Sequence, residues 1–204
     1  MLLVNELLYC NLLFDVASNA NSMEQKDETQ YIQRILEGDT EYFSVFLDRY
    51  SRPLYALIVQ MVGCAEDAEE LVQDVFLKAF RSLHTYKGDC RFSTWLYRIA
   101  YNTAVSATRK RKHEFLYIEE STIYNVPDEV ADSVFGITED EGRIILLTQA
   151  IDRLTVEEKA LITLFYYEEK SIEETGEILN LSQANVKVRL HRTRKKLYVL
   201  MNEK

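Results

Sequence analysis

The sequence predicts an all-α protein: two small helical domains joined by a flexible acidic linker. Only 6 Gly and 2 Pro occur in 204 residues, which leaves few places where helices must stop. Apolar residues recur at helical spacing in both halves. Charge is segregated, with an acidic stretch between two basic blocks. A chain of this length has room for two small domains. The expected division is an N-terminal extension over 1–24, a first domain over 25–112, a linker over 113–138 and a second domain over 139–204.

The formal net charge of −9 argues against a protein that coats nucleic acid indiscriminately, because Lys and Arg supply most non-specific affinity. The sum hides Arg109-Lys110-Arg111-Lys112 and a C-terminal set of Lys187, Arg189, Arg192, Arg194, Lys195 and Lys196. Between them the linker is acidic and contains Pro127. A single basic run is usually a solvated face, but two such runs, each closing a helical unit, point to two nucleic-acid contacts. Pro53 and Pro127 are both expected to mark breaks.

The first twenty residues are apolar but hold Glu6 and Asp15, with no Lys or Arg before Lys26, so they do not read as a signal peptide. Their apolar runs are too short to span a bilayer. They are expected to be dispensable, with Met23 as the working start; a docking helix is the alternative. Cys10, Cys64 and Cys90 form neither a disulfide framework nor a metal clip, which fits a reducing cytoplasm. His84, His113 and His191 lack ligand spacing, and there is no Gly-rich phosphate loop. The expectation is a cytoplasmic protein that is not an enzyme, with no cofactor, metal or small-molecule substrate.

In the first domain, Ala68, Leu71, Val72, Val75, Phe76, Ala79, Phe80 and Leu83 set the inner face of a helix over 65–83. Its outer side carries Asp67, Glu70, Gln73, Asp74 and Leu77, an acidic stripe with an apolar end. Such a stripe is either solvated or a docking surface for a basic partner. A loop of Lys87, Gly88, Asp89, Cys90 and Arg91 then leads into a helix capped near Ser93, whose inner face is Leu96, Ile99, Ala100, Thr103 and Ala107. Its outer face presents Trp95, Arg98, Asn102 and Arg109. Aromatics, amides and cations together suit single-stranded DNA, stacking on bases, reading their edges and holding the backbone. Trp95 reads equally well as a core anchor.

The second domain opens with a capped amphipathic helix from Thr155 and continues as a helix-turn-helix. Ser171 and Glu174 form a capping box, Gly176 lets the next helix approach, Asn180 tolerates a left-handed turn, and Ser182 caps the second helix. Val186, Leu190, Thr193 and Leu197 should face inward. Ser182, Gln183, Asn185, Lys187, Arg189, His191, Arg192 and Lys195 remain for DNA, with Gln183 and Lys187 at base edges and the later cations at phosphates.

Asp67 to Phe80, then Tyr86-Lys-Gly-Asp and Phe92 to Asn102, resemble the second domain of extracytoplasmic-function sigma factors of the sigma-70 family. Leu181 to Leu197 resembles that family's fourth domain, and the linker is too short for the extra domain of housekeeping members. The resemblance implies a subunit that binds core RNA polymerase, reads minus-thirty-five and minus-ten promoter DNA, and melts the latter. It implies that Glu70, Gln73, Asp74 and Leu77 grip the polymerase clamp. Tyr86, the loop Gly88 to Cys90, and Asn102 would capture a flipped base. The helix from Gln183 would read the minus-thirty-five element. An anti-sigma factor, possibly membrane-bound, is the implied regulatory partner. Two departures from the family's habit are Asn180 in place of Gly and Gly176 in place of Ala. The rival is a stand-alone regulator that binds duplex operators, which has no use for the Tyr86 to Asn102 constellation.

Overall fold

A computed structural model describes residues 21–109, 122–123, 125–135 and 141–203, with no strand among them. The expectations for 1–20, for Lys110 to Lys112 and for half of the linker lie outside the described residues. The first unit comprises α1 (Asn21–Leu36), α2 (Phe43–Val62), α3 (Ala65–Ser82) and α4 (Phe92–Thr108). Helices α2, α3 and α4 pack on one another, and α1 lies along the start of α2. Phe46, Leu54, Leu57, Ile58, Val75, Leu83 and Leu96 are buried at their centre. The Glu28 carboxylate, 6% exposed, ties α1 down by accepting from the Arg49 guanidinium at 3.0 Å and from the Tyr50 hydroxyl.

Two expectations change here. Pro53 lies inside α2 and does not end it. A proline in a helix interior costs about 3 kcal/mol. Burial of Phe46 before it and of Leu54, Leu57 and Ile58 after it, each worth about 1.5–3 kcal/mol, outweighs that cost. Helix α4 starts at Phe92 rather than after a Ser93 cap, and no side chain caps it. Phe92 is 1% exposed and seats against Phe46 at a ring distance of 4.3 Å, so packing sets this start.

The second unit comprises α5 (Asp128–Asp132), α6 (Glu141–Asp152), α7 (Val156–Ile162) with a π-turn over Thr163–Tyr167, α8 (Ile172–Leu179) and α9 (Gln183–Asn202). Capping boxes open α7 at Thr155 and Glu158 and α8 at Ser171 and Glu174. Leu154, Leu161, Ile162, Leu164, Ile178, Val186, Leu190 and Leu197 form the core. Residues 125–135, read as linker, fold onto this unit: Val126, Ala131 and Val134 are buried, and the Phe135 ring stacks on Tyr166 at 3.9 Å. The apolar set is short and lies among Asp128, Glu129 and Asp132, so it does not stand out in the sequence.

The two units pack directly, α4 against α8 and α2 against α7. Tyr97, 1% exposed, donates its hydroxyl to Glu168, and the Lys170 ammonium sits 4.7 Å from the Tyr97 ring centre. Arg91 lies 3.5 Å from Glu174. No described helix is long and apolar enough to cross a membrane.

Candidate nucleic-acid and partner interfaces

The helix-turn-helix is built around a missing side chain. A Cβ on Gly176 would lie 2.6 Å from the Leu181 carbonyl oxygen, so only glycine lets the turn close this tightly. The Leu181 N–H donates to the Gly176 carbonyl at 2.8 Å across the same gap. Asn180 supplies the left-handed residue, at φ 56 and ψ 48. Ser182 then accepts from the Asn185 N–H at 3.3 Å, capping α9. Val186, Leu190, Thr193 and Leu197 are buried beneath, while Ser182, Gln183, Asn185, Lys187, Arg189 and Arg192 are exposed.

The C-terminal half of α9 is placed differently. Lys195, expected to be open to phosphates, is 9% exposed and sits 2.7 Å from Asp128. His191 lies 3.3 Å from the same carboxylate, Arg194 pairs with Asp132 at 3.1 Å, and Lys196 pairs with Glu158 at 2.8 Å. The Lys195 hydrogen bond holds the Asp128 carboxyl below its ordinary value. The exposed polar face of α9 therefore lies on its first turns, and Lys195 is a packing cation under α5.

At the other pole, the Tyr86 hydroxyl donates to the Cys90 carbonyl at 2.7 Å and closes the loop from Lys87 to Arg91. Gly88 takes φ 80 there, a left-handed value that suits glycine. Burial, with the nearby Cys90, pushes the Tyr86 pKa up to about 12, so the phenol stays a donor. Lys87, Gly88 and Asp89 are exposed, and burial raises the pKa of the half-buried Cys90 thiol. Arg98, Asn102 and Arg109 are exposed along one side of α4. Trp95 is not free to stack: it is 8% exposed, with its ring 5.6 Å from Phe92 and 5.5 Å from Tyr86. It forms the floor of the loop.

On α3, Glu70, Gln73, Asp74 and Leu77 are exposed, Leu77 at 53%, and Asp67 is half-buried in the first turn. Phe80, read from its periodicity as inward, is 40% exposed, with its ring centre 5.0 Å from that of Phe43 in an edge-to-face pair. It extends the apolar end of the stripe, since i and i+3 are neighbours on a helix. Periodicity could not show this, because Phe80 sits at the margin of the core face. Val188 on α9 is another exposed apolar residue that the sequence reading did not single out.

The family model for Sigma-70 region 2 matches residues 46–114, and that for Sigma-70, region 4 matches residues 144–197. The chain is 32% identical over 177 residues to the ECF RNA polymerase sigma factor SigW of Bacillus subtilis, covering 81% of this chain and 92% of that protein. It is 28% identical to the RNA polymerase sigma-H factor of Pseudomonas aeruginosa, covering 84% and 92%. The fold resembles CnrH in its complex with the cytosolic domain of CnrY, with a TM-score of 0.59 at 22% identity over 84% of this chain and 95% of that one. It also resembles the sigma factor RpoE in complex with the anti-sigma factor NepR from Bartonella quintana, with a TM-score of 0.56 at 22% identity over 78% and 95%. With both family regions matched in order, each centred on one of the two helical units, the chain belongs to the sigma-70 family, as an alternative sigma factor of the extracytoplasmic-function class.

Proposed function

We propose that this sigma factor binds core RNA polymerase through the exposed face of α3, reads the minus-thirty-five element with the first turns of α9, and captures an unpaired minus-ten base beside α4. The observation that carries the reading is the Tyr86-braced loop, next to a helix side offering Arg98, Asn102 and Arg109. A duplex reader needs only α9. An exposed loop beside an amide and two cations suits a strand whose bases have left the stack. Glu70, Asp74 and Leu77 fit a basic coiled coil with an apolar seam. The protein acts in the cytoplasm without bond chemistry of its own, and an anti-sigma factor would mask these surfaces; the similar RpoE of Bartonella quintana is itself in complex with the anti-sigma factor NepR.

Run-off transcription with purified core polymerase over a promoter library tests this. The expected result is transcripts from a small promoter set that depend on both elements. Operator-like binding without polymerase, and no promoter-dependent transcripts with it, would overturn the reading.

A further inference from the structure

Helix α9 turns by about 100° per residue, which puts Val188 about 200° round from Val186 and so opposite the buried row of Val186, Leu190, Thr193 and Leu197. Val188 is 57% exposed, the most exposed of the large apolar side chains that reach solvent among the described residues. Ala184, one turn earlier, is exposed on the same side. The outward side is divided. Its C-terminal half is covered where Asp128 holds His191 and Lys195, so a ligand on this face meets Ala184 and Val188. Lys187 and Arg189 flank Val188, and Gln183 and Asn185 lie at its N-terminal end. Charge selects a polyanion, and the amides select adenine, which offers a paired acceptor and donor in the major groove. The apolar spot between them then needs an apolar group on a base edge. The thymine methyl is that group, and it is on the partner strand of any adenine being read.

We propose that Val188 is a specificity-determining residue that packs on the 5-methyl group of a thymine in the minus-thirty-five duplex, so that this helix selects an A·T pair at that step. The inference rests on α9 being the minus-thirty-five reader, and it adds a base and an atom to that reading. Nothing covalent occurs; the contact removes one methyl group and part of the Val188 side chain from water.

The test uses holoenzyme assembled from the full chain and core polymerase. Minus-thirty-five duplexes are obtained by selection, and each thymine is replaced in turn by deoxyuridine, which deletes only the methyl group. Burial of one methyl group is worth roughly a three- to fivefold change in affinity. The wild-type holoenzyme should lose that factor at one position. Val188→Ala should bind the thymine duplex weaker by the same factor and should no longer distinguish thymine from deoxyuridine there. Arg189→Ala, which removes a cation assigned to phosphates, should weaken all duplexes alike and keep the discrimination. A flat deoxyuridine scan, or discrimination that persists in Val188→Ala, overturns the proposal while an Arg189→Ala loss leaves the parent reading standing. If Arg189→Ala and Gln183→Ala both bind normally, the parent reading falls and this inference with it. Val188 is exposed, so unchanged thermal unfolding of Val188→Ala is expected and excludes a folding effect.

Discussion

Gly176 is where one absent atom sets the helix-turn-helix. Adding a methyl 2.6 Å from the Leu181 carbonyl must push α9 from α8 or strain the turn. Gly176→Ala should therefore destabilise by about 1–3 kcal/mol despite alanine's better helix propensity, a loss readable by urea unfolding. A second expectation belongs to Glu168, whose carboxyl is held above its ordinary value chiefly by burial, with the Tyr97 hydrogen bond and Lys170 acting the other way. A raised acid favours the folded state when protonated. Its contribution is full below the ordinary value of 4.5 and is lost as pH rises through the folded one. Glu168→Gln should raise the unfolding midpoint at neutral pH and flatten its pH dependence above that ordinary value, as thermal melts across pH would show. Local rules made much of this legible. The capping boxes at Thr155 and Ser171, the left-handed Asn180 and the Ser182 cap each depend on a few neighbouring residues. Trp95 stayed open between stacking and core, and Lys195 was not legible, because their partners Tyr86 and Asp128 are set by tertiary packing.

At the scale of elements, α3 separates folding from binding most cleanly. Val72, Val75, Phe76 and Ala79 are buried against α2 and α4, while Asp74 and Leu77 point to solvent. Asp74→Arg and Leu77→Glu should leave stability within about 0.5 kcal/mol and weaken core-polymerase binding by about thirtyfold, the loss expected for an interface hot spot. Thermal unfolding and affinity measured side by side decide this, and normal binding by both variants would return the stripe to solvent. Helical periodicity was a good guide to α3, α8 and α9 because each has one wide apolar face. It was a poor guide to α5, which is five residues long and packs through Val126, Ala131 and Val134, only one of them within the helix itself. Pro53 misled for a related reason: a local breaker yielded to burial on both sides of it.

Across the whole molecule, the two helical units that the sequence predicts also pack on each other through Tyr97, Glu168, Arg91 and Glu174. A folded chain of this size has a radius of gyration of about 17 Å. Elements nominally at minus thirty-five and minus ten would lie about 25 base pairs apart, about 85 Å of duplex at about 3.4 Å per pair. A packed chain of that size is too small to span both, so the protein alone is expected to bind promoter duplex weakly at physiological salt, as a titration by fluorescence anisotropy would show. Core polymerase would hold the units apart and raise the effective concentration of the second contact once the first has formed. Base capture is the central claim, and it is tested most directly by following a fluorescent base analogue in the minus-ten element as holoenzyme opens the promoter. Asn102→Ala removes an exposed amide, and Tyr86→Phe removes the hydroxyl that closes the loop on Cys90. Each hydrogen bond lost is worth about 0.5–1.5 kcal/mol, so opening should slow by about two- to twelvefold while core affinity is unchanged. Wild-type opening kinetics in both variants would contradict the assignment.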